Sequence, residues 1–321
     1  SGRIPIDVAL IQVSPPDEHG YCSYGVGVEC TKAAAESARV VIAQLNPNMP
    51  RVLGDSFIPA QKVHHFVECD HPLFELPRVR MSPAHEEIGR NVASLIDDGS
   101  TLQLGIGGIP DAILSFLKDK KHLGVHSEMF SDGMVELVES GVVTNEKKSL
   151  HAGKMVASFV LGTRPLFDFI DDNPVVEFHP TEYVNDPFII SQNDRMVSVN
   201  SAIQVDLTGQ VCSDSIGEKI YSGFGGQVDF IRGASRAKEG KAIIALLSTA
   251  QNGQISKITP YLDQGAGVVT SRADVHYIVT EFGIADLHGK TLRERAKSLI
   301  KIAHPKFKDR LEESARLRKI I

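Results

Sequence analysis

Two glycine loops and one glutamate are the residues in this chain best placed for chemistry. Gly105-Ile106-Gly107-Gly108-Ile109-Pro110 and Gly223-Phe224-Gly225-Gly226-Gln227-Val228 repeat the form G-x-G-G. Glycine lets a substrate carbonyl or a flexible chain approach the main chain closely, and free N–H groups at the head of a helix receive negative charge. Between the loops lies His126-Ser127-Glu128-Met129-Phe130-Ser131-Asp132-Gly133. A carboxylate at Glu128, at the sheet edge that carries the first glycine turn, can act as a base or as a nucleophile. A serine–histidine triad at His126 and Ser127 fits poorly, because adjacent strand residues point to opposite faces. Taken singly, each feature is also an ordinary turn or a solvated loop acid.

Other chemistries lack their residues. No G-x-S-x-G elbow seats a hydrolase serine. Gly283 to Gly289-Lys290-Thr291 imitates a phosphate loop but has the wrong glycine spacing. Both G-x-G-G loops end in proline or valine where a dinucleotide fingerprint needs glycine. The stretch His64-His65-Phe66-Val67-Glu68-Cys69-Asp70-His71 holds ligand-type residues. It meets no zinc spacing, and reads as surface histidines flanking a strand.

The elements around these residues alternate. Ser82-Pro83 caps and starts an amphipathic helix with Ile88, Val92, Leu95 and Ile96 on one face. A strand over 102–104, the glycine turn, a helix over 111–117, a strand over 123–125, the Glu128 loop and a helix over 133–140 follow. That order predicts a parallel α/β sheet. Farther on, strands are expected over 175–178, 196–199, 203–207, 242–247, 268–270 and 277–280. A last helix is capped by Thr291 and Glu294. Upstream, the apolar run at 6–13 reads as a buried strand, followed by a helix near 32–38 and a strand over 40–45. The proline-rich stretch 72–83 divides the chain into domains at 1–76 and 77–321. Opening on a strand, without an initiating Met or a signal peptide, leads us to expect further upstream sequence in the natural protein.

Composition narrows the partners. The 321 residues are 42% hydrophobic and 23% charged, with Lys plus Arg 34 against Asp plus Glu 40. This is a globular balance with no basic stripe for nucleic acid. No apolar run is long enough for a membrane span. Cys22, Cys30, Cys69 and Cys212 form no C-x-x-C pair, which points to a reducing, cytoplasmic compartment.

Together with Tyr183-Val184-Asn185-Asp186-Pro187, the 199–209 stretch, the 222–230 stretch and Val279-Thr280-Glu281-Phe282-Gly283, these motifs resemble the acetyl-CoA hydrolase/transferase family. These are family I CoA-transferases, and the 4-hydroxybutyrate CoA-transferase branch is the nearest match. The resemblance runs in order across essentially the whole chain. It implies two related open α/β domains, the N-terminal one incomplete here, and a homodimer. It also implies that CoA is a substrate, with neither metal nor nucleotide cofactor. Glu128 matches the family's catalytic glutamate, and the amides of Ile106 and Gly226 match its oxyanion donors. Asn185 matches the asparagine that holds that glutamate, and Glu281 matches an active-site acid. Gly105, Ile106, Gly107, Gly108, Ile109, Ile203 and Gly226 fall on CoA-contacting positions. Gln251 stands where relatives often place a lysine against CoA.

The activity implied is ping-pong transfer of CoA between an acyl-CoA (acetyl, butyryl or 4-hydroxybutyryl) and a short-chain carboxylate such as acetate. The alternatives are a hydrolase using the same glutamate and a non-catalytic CoA-binding module.

Overall fold

The computed structural model describes residues 3–321. Its centre is a six-stranded sheet in the order Gly283–Asp286, Tyr277–Thr280, Lys241–Ala245, Met196–Asn200, Thr101–Leu104 and Gly124–Val125. The last five run parallel, and Gly283–Asp286 folds back antiparallel on Tyr277–Thr280. A sheet covered on both faces needs apolar side chains on both, and the register provides them. Leu102, Leu104, Val199, Ile243 and Ala245 join one buried cluster, while Met196, Ala242, Ile244 and Ile278 join the other. The first cluster packs Ile88 and Val92 of the Pro83–Ala93 helix beside Ile113 and Leu114 of the Gly108–Ser115 helix. The second holds Phe230 and Ile231 of the Gln227–Arg236 helix, Leu299 of Leu292–Ile302 and Leu311 of Lys308–Leu317.

A smaller parallel sheet, Ile6–Val13, Ala38–Leu45 and His65–Glu68, forms the N-terminal piece. Ile6–Val13 is a strand, but it is not the buried strand its composition suggests. It pairs only with Ala38–Leu45 among the described residues, and Val8 and Leu10 are 50% and 78% exposed. Ala9, Ile11 and Val13 face the core. A continuous apolar run cannot distinguish a strand covered on one face from one covered on both. Residues 69–82 form neither helix nor strand, yet the first core cluster runs across them from Ala9 to Val279.

Two other expectations change. Residues 268–270 are not a strand; only Thr270 makes an isolated bridge, to Val211. The helix expected over 111–117 instead begins at Gly108, after Gly107 at φ 110, and ends at Ser115. Pro110 is tolerated in the first turn because the N–H it lacks would have had no intrahelical partner there.

Candidate functional site

The carboxyl ends of the parallel strands converge on one edge, the usual ligand edge of an open α/β sheet. Thr101–Leu104 leads into Gly105-Ile106, and Gly124–Val125, paired beside it, leads into Glu128. Met196–Asn200 ends at Asn200, and Tyr277–Thr280 ends next to Glu281. The early start of the Gly108–Ser115 helix brings its first N–H groups to this edge. A cavity of about 250 Å³ opens there, lined by Gly105, Ile106, Gly108, Ile109, Asn200 and His85, among others. Ile106 is 42% exposed. His85, which sequence reasoning passed over, caps its helix reciprocally with Ser82 and lays its ring against Gly108.

Glu128 is half-buried. Its carbonyl oxygen accepts from the amides of Ser158 at 2.9 Å and Phe159 at 3.2 Å, so its backbone is held from below. The Asn185 side-chain amide donates to Glu128 Oε2 at 3.1 Å. Gly226, the N-cap of the Gln227–Arg236 helix, presses its backbone against that same oxygen. A Cβ at Gly226 would overlap Oε2 and come within 2.6 Å of Asn185 Nδ2. Three residues far apart in sequence therefore meet at one carboxylate oxygen. Ser127 Oγ donates to the carbonyls of Leu104, at 3.2 Å, and Met129, at 2.6 Å. This ties the Glu128 segment to the base of the first glycine loop and occupies the serine in a structural role.

Three other expected positions make local contacts of their own. Glu281 accepts from the Ser248 amide at 2.9 Å and from Ser248 Oγ at 2.6 Å, joining the ends of two neighbouring strands. Ile203 is half-buried and donates its N–H to Cys212. Gln251 is exposed at φ 49, in the turn joining Thr249–Ala250 to Ile255–Ser256.

Two acids near Glu128 were not singled out from sequence. Burial pushes the Glu29 carboxyl above its usual value, and the Glu128 charge adds to the effect. Asp229 is raised by burial and then by Glu128. Only the tertiary fold brings these acids to the site.

The fold also gathers His151, Glu177 and His179, whose ligand-type atoms lie within 4.8 Å of one another. No residue of the 64–71 stretch belongs to such a group among the described residues. Glu177 already pairs with His151 at 3.0 Å and Lys154 at 3.6 Å, and His151 meets Tyr183 Oη at 2.7 Å. Burial acts to raise the Glu177 carboxyl, but its hydrogen bonds with His179 and His151 outweigh that and hold it below its usual value. The network buttresses the short Thr181–Val184 helix, which is followed directly by Asn185.

Comparison with known proteins bears on this geometry. Residues 2–77 match the acetyl-CoA hydrolase/transferase N-terminal domain, and residues 162–315 match the C-terminal domain of the same family. The 4-hydroxybutyrate coenzyme A transferase of Clostridium kluyveri is 61% identical over 96% of this chain and 72% of its own length. The chain belongs to the acetyl-CoA hydrolase/transferase family. Another family member, the butyryl-CoA:acetate CoA-transferase of Anaerostipes caccae, is 40% identical over 97% of this chain and 72% of that protein. The crystal structure of 4-hydroxybutyrate CoA-transferase from Porphyromonas gingivalis superposes with a TM-score of 0.90 at 48% identity. It covers 99% of this chain and 76% of that one. RipA from Yersinia pestis gives 0.94 at 42% identity, covering 98% and 72%. Asn185, Gly226 and Glu281 lie inside the matched C-terminal domain, whereas Ile106 and Glu128 fall between the two matched segments.

Proposed function

We propose that this chain is a CoA-transferase that moves CoA between an acyl-CoA and a short-chain carboxylate through Glu128. The observation that carries the reading is the convergence of Asn185 and Gly226 on Glu128 Oε2 at the carboxyl edge of the sheet. Relatives named for 4-hydroxybutyrate and for butyryl-CoA with acetate support short-chain acids as substrates. We further assign the chain to the cytoplasm as a homodimer, with a domain boundary between residues 76 and 77 and no metal cofactor. No helix among the described residues is long and apolar enough to cross a membrane.

The steps balance without an outside reagent. The Glu128 carboxylate attacks the thioester carbonyl, and collapse of the tetrahedral oxyanion expels CoA thiolate and leaves an acyl–glutamyl anhydride. The thiolate then attacks the glutamyl carbonyl, releasing the first acid and leaving a glutamyl-CoA thioester. A second carboxylate reverses the sequence. Exchange of one thioester for another is nearly isoenergetic, so the difficulty lies in the oxyanions. Fixed backbone donors suit that task because they need no reorganisation as charge develops. The Ile106 and Gly226 amides are assigned to it. Asn185 aims the carboxylate, Gly105, Gly107, Gly108, Ile109, Ile203 and Gln251 are assigned to CoA, and Glu281 is assigned as a further active-site acid.

Transfer separates from hydrolysis in a steady-state assay. With 4-hydroxybutyryl- or butyryl-CoA as donor and acetate as acceptor, acetyl-CoA should form with parallel double-reciprocal lines and little free thiol. Acetate-independent thiol release at the full rate would instead mark a hydrolase using the same glutamate. Tight CoA binding with neither product would mark a binding module.

A further inference from the structure

We propose that His126 is the positioning residue of this site, a neutral tether that holds the Glu128 segment, the Asn185 helix and the Gly226 helix in one arrangement. The inference rests on the function proposed above and adds a residue to it.

The imidazole is fully buried, two residues before Glu128. Its backbone N–H donates to the Leu102 carbonyl at 3.1 Å, in the strand that leads to Gly105-Ile106. Its Nε2 lies 2.9 Å from the carbonyl oxygen of Val184, the residue before Asn185. Its ring packs against Phe230 with centroids 6.2 Å apart, in the helix headed by Gly226. The side chain thus touches the two elements that bring Asn185 and Gly226 to Glu128, while the backbone of the same residue is tied to the strand that leads to the first glycine loop.

The Val184–His126 bond and the Asn185–Glu128 bond form two rungs between the same two segments, residues 126–128 and 184–185. The first rung is buried and fixes the spacing that the second, nearer to substrate, needs. A carbonyl can only accept, so Nε2 carries the proton and donates. Nδ1 has no hydrogen-bond partner among the described residues, so no acceptor there favours a second ring proton and the imidazole is the neutral Nε2–H tautomer. Burial pushes the ring down to about 3, and the nearby Lys148 ammonium adds to the effect. A buried donor with one acceptor and no charge is suited to holding distance rather than moving protons.

The test compares three variants. The His126→Gln amide nitrogen stands near the position of Nε2 and can still donate to Val184. His126→Asn falls short, and His126→Met fills the space without a donor. Melting curves, kcat and KM for the acyl-CoA, and the rate of borohydride-trapped CoA adduct are measured, with Glu128→Gln as control. We expect His126→Gln to keep kcat within about 5-fold. His126→Asn and His126→Met should lose about 10- to 100-fold in kcat and in adduct rate, as expected for reacting groups moved by a fraction of an ångström to an ångström. KM should stay within about 3-fold.

A folded His126→Met with wild-type kcat overturns the tether. So does a folded His126→Gln as impaired as His126→Asn. Should His126→Met not fold, the Gln–Asn pair decides; failure of all three to fold makes His126 a core residue and also overturns the inference. Activity retained in Glu128→Gln would instead defeat the proposed function, whatever the His126 variants do.

Discussion

Glu128→Gln is expected to fold as the wild type does and to lose transferase activity by about 10⁴-fold or more, equivalent to at least about 5.5 kcal/mol of transition-state stabilisation. The backbone of residue 128 is held through its own carbonyl by Ser158 and Phe159, so the substitution leaves that anchor in place. The glutamine carbonyl can still accept from Asn185, and the volume is unchanged. Only the nucleophile is removed, because a neutral amide cannot form the anhydride. Glu128→Asp keeps the charge but draws the carboxylate back by about one C–C bond, 1.5 Å. It should retreat from both Asn185 and the thioester and lose about 100-fold. The check is acetyl-CoA formation at saturating donor, with a melting curve to establish folding. Glutamine activity within 10-fold of wild type would remove Glu128 from the chemistry.

Gly226→Ala should be the next most damaging single change, costing about 10²- to 10³-fold in kcat. The backbone at Gly226 sits at φ −81, a conformation alanine adopts freely, so the damage is not backbone strain. It comes from the new methyl, which would overlap Glu128 Oε2 and crowd Asn185 Nδ2. The carboxylate must swing aside or the helix must retreat, and either parts the nucleophile from its donors. Gly223→Ala, in the same G-x-G-G loop, is the control. A Cβ there meets nothing within 4 Å, and activity within about 3-fold of wild type is expected. Equal losses in the two variants would show that loop flexibility, rather than the approach of Gly226 to Glu128, matters.

The sequence was informative where periodicity and caps act locally. Thr291 and Glu294 form the reciprocal cap their spacing suggests. The Tyr277–Thr280 strand begins and ends where its apolar run does. Parallel alternation put Glu128 and the first glycine loop on one edge because a strand's direction fixes which end its following loop occupies.

Information ran out where neighbours in space decide. Burial of Ile6–Val13 depends on what covers each face, which composition does not record. Thr181–Val184 and Pro187–Ser191 are helices of four and five residues, too short to show helical periodicity. The 268–270 run is apolar enough for a strand but finds one bridge instead of a ladder. Within the site, Glu128 and both glycine loops stood out by residue type. His126 was legible only as a poor triad candidate, and Glu29 and the His151–Glu177–His179 group not at all, because each acquires its meaning from partners brought near by the tertiary fold.

The most direct measurement is borohydride trapping on the wild-type enzyme. Protein incubated with acyl-CoA and then reduced should convert one glutamyl-CoA thioester to a primary alcohol, and peptide mass spectrometry should place it on Glu128 alone. Omission of acyl-CoA, or the Glu128→Gln substitution, should abolish the modification. An alcohol on any other residue would contradict the assignment of the nucleophile. Full turnover with no trapped residue would contradict the covalent route itself.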